Sequence, residues 1–194
     1  GLSLCLGADA SYAVPADGFV TGTYLCDQMN RLLQEQREGG FEGAEDYWMV
    51  TTDWKSQLKY LSAGYGAPVL DAGIAGYLLN PLKETYDYDD LARDYLDLTV
   101  PSAGDLLGKE PLGRVLARGE QQGENCACYM SDIPWKAMPA LLKQLEETGM
   151  RSLYLDMEMP LVYSLDRMEK AGIRGDREQL KDYGDQLKVR IQGL

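Results

Sequence analysis

The hydrophobic residues change period along this chain, and that change limits the folds open to it. Leu2, Leu4 and Leu6 alternate with Ser3 and Cys5, the twofold period of a strand. Gly7 to Ala10 supply turn residues before Ser11-Tyr12-Ala13-Val14, so Leu2 to Val14 reads as a β-hairpin. The next segment has helical period. Thr21 or Thr23 can cap a helix whose Leu25, Met29, Leu32 and Leu33 share one face, with Gly39-Gly40 closing it. Strands first and amphipathic helices afterwards imply a sheet covered by helices, an α/β arrangement.

Further on, the run Tyr47 to Thr51 reads as a strand, and Thr52-Asp53 caps a helix with Trp54, Leu58 and Leu61 at helical spacing. Pro68-Val69-Leu70 supplies one more short strand. Asp71 then precedes a helix with Ile74, Tyr77 and Leu78 on one side, stopped at Asn80-Pro81. Asp87 caps a helix with Tyr88, Leu91, Tyr95 and Leu98 as its stripe, and Asp89 and Asp90 are acidic residues where a helix start favours them. Thr99 to Gly108 reads as loop. Helices resume near Leu112 and reach Glu147 with interruptions at Pro134 and Pro139. Two amphipathic helices finish the chain. The first carries Met157, Leu161, Leu165 and Met168 and ends at Gly172; the second starts at Asp176 with Gln179 and carries Leu180, Tyr183, Leu187, Ile191 and Leu194. Both stripes require a partner surface.

Composition removes several function classes. A formal charge of −12 over 194 residues argues against an autonomous nucleic-acid binder, because phosphates are held by clustered Lys and Arg. There is no histidine, which excludes imidazole as base or metal ligand. The four cysteines include one close pair, Cys126-Ala-Cys128, which is not Cys-x-x-Cys spacing, so reduced, mostly buried thiols are expected. Trp48, Trp54 and Trp135 fall at positions expected of core. No stretch is apolar enough to span a bilayer, and Gly1 opens into a strand without a basic leader, so a soluble cytoplasmic protein is expected.

One segment is specific. Leu155-Asp156-Met157-Glu158-Met159-Pro160-Leu161, with Ser164-Leu165, Met168-Glu169, Ala171-Gly172-Ile173, Asp176 and Leu180, resembles the join between exonuclease and polymerase domains in bacterial family A DNA polymerases. Asp71-Ala-Gly-Ile-Ala-Gly-Tyr77-Leu78-Leu79-Asn80-Pro81 and Asp90-Leu91-Ala92 resemble that family's helix pair in the exonuclease-type domain, and Gly1 to Leu6 with Tyr12 to Pro15 resemble its second and third strands. The resemblance implies an α/β, ribonuclease-H-like 3′-to-5′ exonuclease fold: a mixed sheet flanked by helices, lacking its first strand, with a C-terminal helical extension. It divides the chain into an exonuclease-like domain at 1–149 and a helical connector with the first polymerase-domain helices at 150–194.

Active members of that family use two Mg2+ ions held by carboxylates to cleave a 3′ end. Their ligands come from Asp-x-Glu on the first strand, Asn-x-x-x-Asp, and Tyr-x-x-x-Asp. The first motif falls before Gly1. Asp156-Met157-Glu158 has the same letters but lies at a helix start, where i and i+2 diverge, and is read as a helix-start feature. At the second motif Asp53 takes the asparagine position and Gln57 the aspartate position, which loses a negative ligand. At the third, Tyr129 is followed by Asp132 at three residues and Ile133 at four, so the carboxylate is turned about 100° away on a helix. These degenerate positions imply no catalytic and no metal-binding residue and no bound cofactor. The expected function is a catalytically silent scaffold within a DNA polymerase acting in replication and repair, with DNA as partner of the parent enzyme. Weak DNA binding and self-association through the last helix are expected of this acidic chain. The alternatives are an active metal-dependent proofreading exonuclease and a stand-alone acidic protein-interaction module.

Overall fold

In the computed structural model, which describes residues 1–5, 10–16, 18–37 and 49–193, the N-terminal alternation forms a hairpin. Strand β1 (Leu2–Cys5) pairs antiparallel with β2 (Ser11–Val14), Leu2 opposite Val14 and Cys5 opposite Ser11. Strand β3 (Met49–Thr51) pairs parallel with β4 (Val69–Asp71), as the two β-branched and apolar runs suggest. Among the described residues these are two separate two-stranded sheets, where the sequence implies one mixed sheet. The hairpin turn at 6–9, Gly39-Gly40, Tyr47 and Trp48 lie outside the described residues. The chain is mixed α/β and mostly helical.

Helix α1 (Gly22–Arg37) starts where Thr21 Oγ1 accepts the Tyr24 N–H at 3.1 Å. It buries Met29 and Leu33 with Leu25 half-buried, while Leu32 is exposed because it is rotated about 100° from Leu33. Helix α2 (Trp54–Gln57) is a single turn that buries Trp54 completely. Helix α3 (Ala72–Leu79) buries the small face of Ala72, Ala75 and Gly76, so the expected face containing Tyr77 is corrected. A Cβ at Gly76 would lie 3.3 Å from the Tyr86 ring and 3.5 Å from Leu91, so the small side is the one that permits close packing. Helix α4 (Tyr88–Leu96) buries Tyr88 and Leu91; Leu98 lies beyond its end and is exposed. Asp87 sits at its N-cap position without a side-chain hydrogen bond.

The segment expected as loop contains helix α5 (Ala103–Leu107), held by a reciprocal capping box between Ser102 and Asp105. After α6 (Leu112–Ala117), helix α7 (Gln121–Glu147) runs unbroken through Pro134 and Pro139. Packing overrides the missing N–H groups: α7 lies against β1, β2, β3, α3, α4, α5 and α6, and Pro134 is among the most deeply buried residues. The following helix begins at residue 151, so Asp156 is not in its first turn as expected. It carries a π-helical turn (Leu153–Glu158) before α8 (Met159–Ala171). Pro160 cannot donate to the preceding turn, and the widened turn lies directly upstream of it. The stripe of Met157, Leu161, Leu165 and Met168 faces outward; the opposite face, Met159, Val162 and Tyr163, enters the core with Tyr154. That core also holds Trp54, Leu70, Leu91, Leu141 and Leu145, so residues on both sides of position 149 share it. Helix α9 (Arg177–Gln192), capped by Asp176 through Glu178 N–H and Gln179 N–H, buries none of its residues. Leu194 lies outside the described residues.

Candidate functional site

Helix α7 runs past both sheets, and between them lies an open cleft of about 2280 Å³ bordered by β1, β3 and α1. The second motif sits at its edge, immediately after β3. Asp53 is held in the left-handed region, φ 51°, with Oδ1 accepting the Ser56 N–H and its carbonyl accepting the Ser56 hydroxyl at 3.0 Å. Aspartate tolerates that conformation better than most residues, which explains its place at this tight strand-to-helix turn.

Gln57 uses its amide nitrogen twice, donating to Thr51 Oγ1 at 2.5 Å and to the Thr52 carbonyl at 2.9 Å. The group facing the strand end is thus a donor. A carboxylate there would meet the Thr52 carbonyl as acceptor against acceptor. The third motif is divided by its helix. Tyr129 stacks on Tyr88 with ring centroids 5.8 Å apart, on the core side. Asp132 points toward the hairpin, where Oδ1 accepts the Cys5 thiol at 3.5 Å and Oδ2 accepts Lys136 Nζ at 2.8 Å. Burial raises the Cys5 pKa, and the neighbouring carboxylate adds to the effect, so the thiol stays protonated.

A hard divalent cation takes clustered oxygen ligands, and among the described residues Gln57 presents a donor while Asp132 is bound to Lys136. Among the described residues no three of His, Cys, Asp and Glu come together as a metal-binding group. Among the cleft's described lining residues are Asp27, Asp53, Asp71 and Asp87 and the cations Lys55 and Lys59. Two tryptophans differ from each other: Trp54 is core, whereas Trp135 is half-buried at the cleft. Of the cysteines, only Cys126 is fully buried, and all four are free thiols.

Sequence reasoning overlooked the group that organises this region, Asp71. It is 2% exposed, and its carboxylate accepts the N–H groups of Trp54 at 2.6 Å, Gly73 at 2.9 Å and Ile74 at 3.2 Å, while its carbonyl accepts the Tyr154 hydroxyl at 3.0 Å. Burial raises its pKa, and the three N–H groups oppose that shift. One residue therefore caps α3, fixes the start of α2 and holds the π-helical turn. The sequence signal was an aspartate closing an apolar strand just ahead of a small-residue helix. A second set of contacts joins α2 to α8: Trp54 Nε1–H donates to the Tyr163 hydroxyl at 3.1 Å, Lys55 pairs with Glu169 at 2.6 Å, and Lys170 Nζ donates to the Leu58 carbonyl at 3.2 Å.

Proteins of known identity resemble the chain along most of its length. It is 29% identical over 140 residues to DNA polymerase I of Streptococcus pneumoniae serotype 4, covering 72% of this chain. The corresponding figures are 27% over 125 residues for DNA polymerase I of Bacillus subtilis and 33% over 125 residues for that of Synechocystis, each covering 63% of this chain. The chain resembles part of a bacterial DNA polymerase I. The matched region spans 16%, 14% and 12% of these three relatives, so the chain corresponds to a minor part of their length. No protein-family model matches it. Among the described residues no helix is long and apolar enough to cross a membrane.

Proposed function

We propose that this chain is a catalytically silent 3′-to-5′ exonuclease-type unit that braces the polymerase part of a DNA polymerase I-like, nucleotidyl-transferring enzyme in DNA replication and repair. The observation that carries the reading is Gln57: the position that would supply a metal-binding carboxylate instead donates two hydrogen bonds that close the turn after β3. The same position would otherwise repay its burial by holding an ion; here it repays it by holding the backbone. The ribonuclease-H-like fold belongs to this proposal. It is supported by the antiparallel hairpin, the parallel β3–β4 pair, and the open cleft bordered by β1 and β3.

The proposed division is an exonuclease-like unit at 1–149 and a connector with the first polymerase-domain helices at 150–194. The Trp54–Tyr163, Lys55–Glu169 and Lys170–Leu58 contacts make α8 the stiff joint that a scaffold needs, because they fix its direction relative to α2. DNA is the partner of the parent enzyme in this reading, with weak binding by the acidic chain itself, self-association through α9, and a cytoplasmic location. Titration with Mn2+ followed by electron paramagnetic resonance tests the silent site. The expected spectrum is that of the free aqua ion throughout; saturable loss of that signal at one or two ions per chain, reversed by Asp132→Ala, contradicts the proposal.

A further inference from the structure

Tyr154 and Tyr163 stand on one continuous helical run, nine positions apart, and both are buried in the same core. At about 100° per residue, nine positions of regular α-helix would set them on opposite sides. The π-helical turn removes the conflict. There the Met159 N–H donates to the Tyr154 carbonyl, five positions back, so one residue is absorbed without advancing the helix. With that residue discounted, Tyr154, Met159, Val162 and Tyr163 fall within about 100° of arc, and that face is the buried one.

The same sequence carries a second face that needs no such turn. In an unbroken α-helix Met157, Leu161, Leu165 and Met168 fall within about 80° of arc that also contains Tyr154. Shifting α8 by one residue puts Leu161 where Val162 now sits and Leu165 where Asp166 sits. Two packings of one helix are thus encoded, related by a rotation of about 100°. Pro160 favours the observed packing, because in a regular helix its ring crowds the Asp156 carbonyl and it has no N–H to offer that group. The bonds from Trp54 to Tyr163 and from Lys55 to Glu169 favour it as well, since both acceptors move when α8 turns.

We propose that the π-helical turn is a register switch for α8. With the extra residue held in the turn, Val162 and Tyr163 meet the core; with it released into regular helix, α8 turns by about 100° about its own axis and Leu161 and Leu165 meet the core instead. The Asp71 carbonyl, which accepts the Tyr154 hydroxyl at 3.0 Å, anchors the upstream end in both settings. The joint at α8 therefore has two settings that share one direction, and whatever packs on its outer face selects between them. This is independent of the silent cleft, which metal binding tests.

The test is solvent paramagnetic relaxation of the Leu and Val methyl groups of the full chain, measured by nuclear magnetic resonance with a soluble gadolinium chelate, with circular dichroism to check folding. In the wild type the Leu161 and Leu165 methyls should relax faster than those of Val162, which is 4% exposed. Pro160→Ala removes the ring and restores an N–H for the Asp156 carbonyl, so it should reverse that order. Deleting Asp156, an exposed residue of the turn, in the Pro160→Ala background takes out the extra residue and should return the wild-type order. A Pro160→Ala chain that keeps the wild-type order, or that fails to fold, overturns the second packing. A reversed order that the deletion does not correct overturns the turn as the switch.

Discussion

Gln57 and Asp71 show how much a single polar group can decide. Replacing Gln57 by Glu keeps the shape but removes the donor that faces Thr52, and the loss of that hydrogen bond with an acceptor clash is expected to cost about 1–3 kcal/mol in urea unfolding. Asp71→Asn leaves an amide with only one oxygen for three N–H groups, so the Trp54 N–H loses its partner; a cost of about 1–3 kcal/mol is expected, seen as a lower unfolding midpoint. Asp90 contributes to the response to acid. Burial alone would raise its pKa, but hydrogen bonds from Thr85, Arg93 and Lys83 outweigh that and lower it. Its stabilising contribution is therefore present above the ordinary carboxylate range and is lost as pH falls through its depressed folded pKa. Unfolding midpoints measured against pH should fall less steeply at the acid end in Asp90→Asn than in the wild type. Residue identity made Gln57 legible as an uncharged group, but not its two hydrogen bonds to Thr51 and Thr52. The three-fold role of Asp71 was not legible, since two of its partners, Trp54 and Tyr154, are distant in sequence and meet it only in the folded core.

At the level of elements, the strands were legible from period and the helix interruptions were not. Leu2, Leu4 and the Val69-Leu70 run carry their strand signal locally, and both pairs formed. Pro134 and Pro139 carry an equally local signal to stop, yet α7 continues because its neighbours hold it on several sides. Pro139 is exposed and contributes little packing, so Pro139→Ala should raise stability by about 1–3 kcal/mol in thermal or urea unfolding as it returns an N–H to the helix and removes ring strain. Helix α5 was missed although Ser102 and Asp105 announce it, because proline and glycine on either side mask so short an element. The α8 stripe misled in another way: periodicity identifies an apolar face but cannot say which of two apolar faces meets the core. Tyr154 and Tyr163, read as neither, turned out to anchor the buried one.

For the whole molecule, the hydrogen bond from Trp54 to Tyr163 ties the first half of the chain to α8, and Tyr163→Phe would leave the buried indole N–H without that acceptor. A loss of about 1–3 kcal/mol is expected, with α8 and the α/β core still unfolding together in hydrogen exchange while α9 exchanges early. The proposal of a silent unit rests on the cleft lining, the donor at Gln57 and the Lys136-bound Asp132. Incubation of the chain with end-labelled single-stranded DNA and Mg2+ or Mn2+ is the most direct measurement of that claim. The account predicts that the labelled strand keeps its full length at all times and at both metals. Metal-dependent release of mononucleotides that disappears in Asp132→Ala would contradict it.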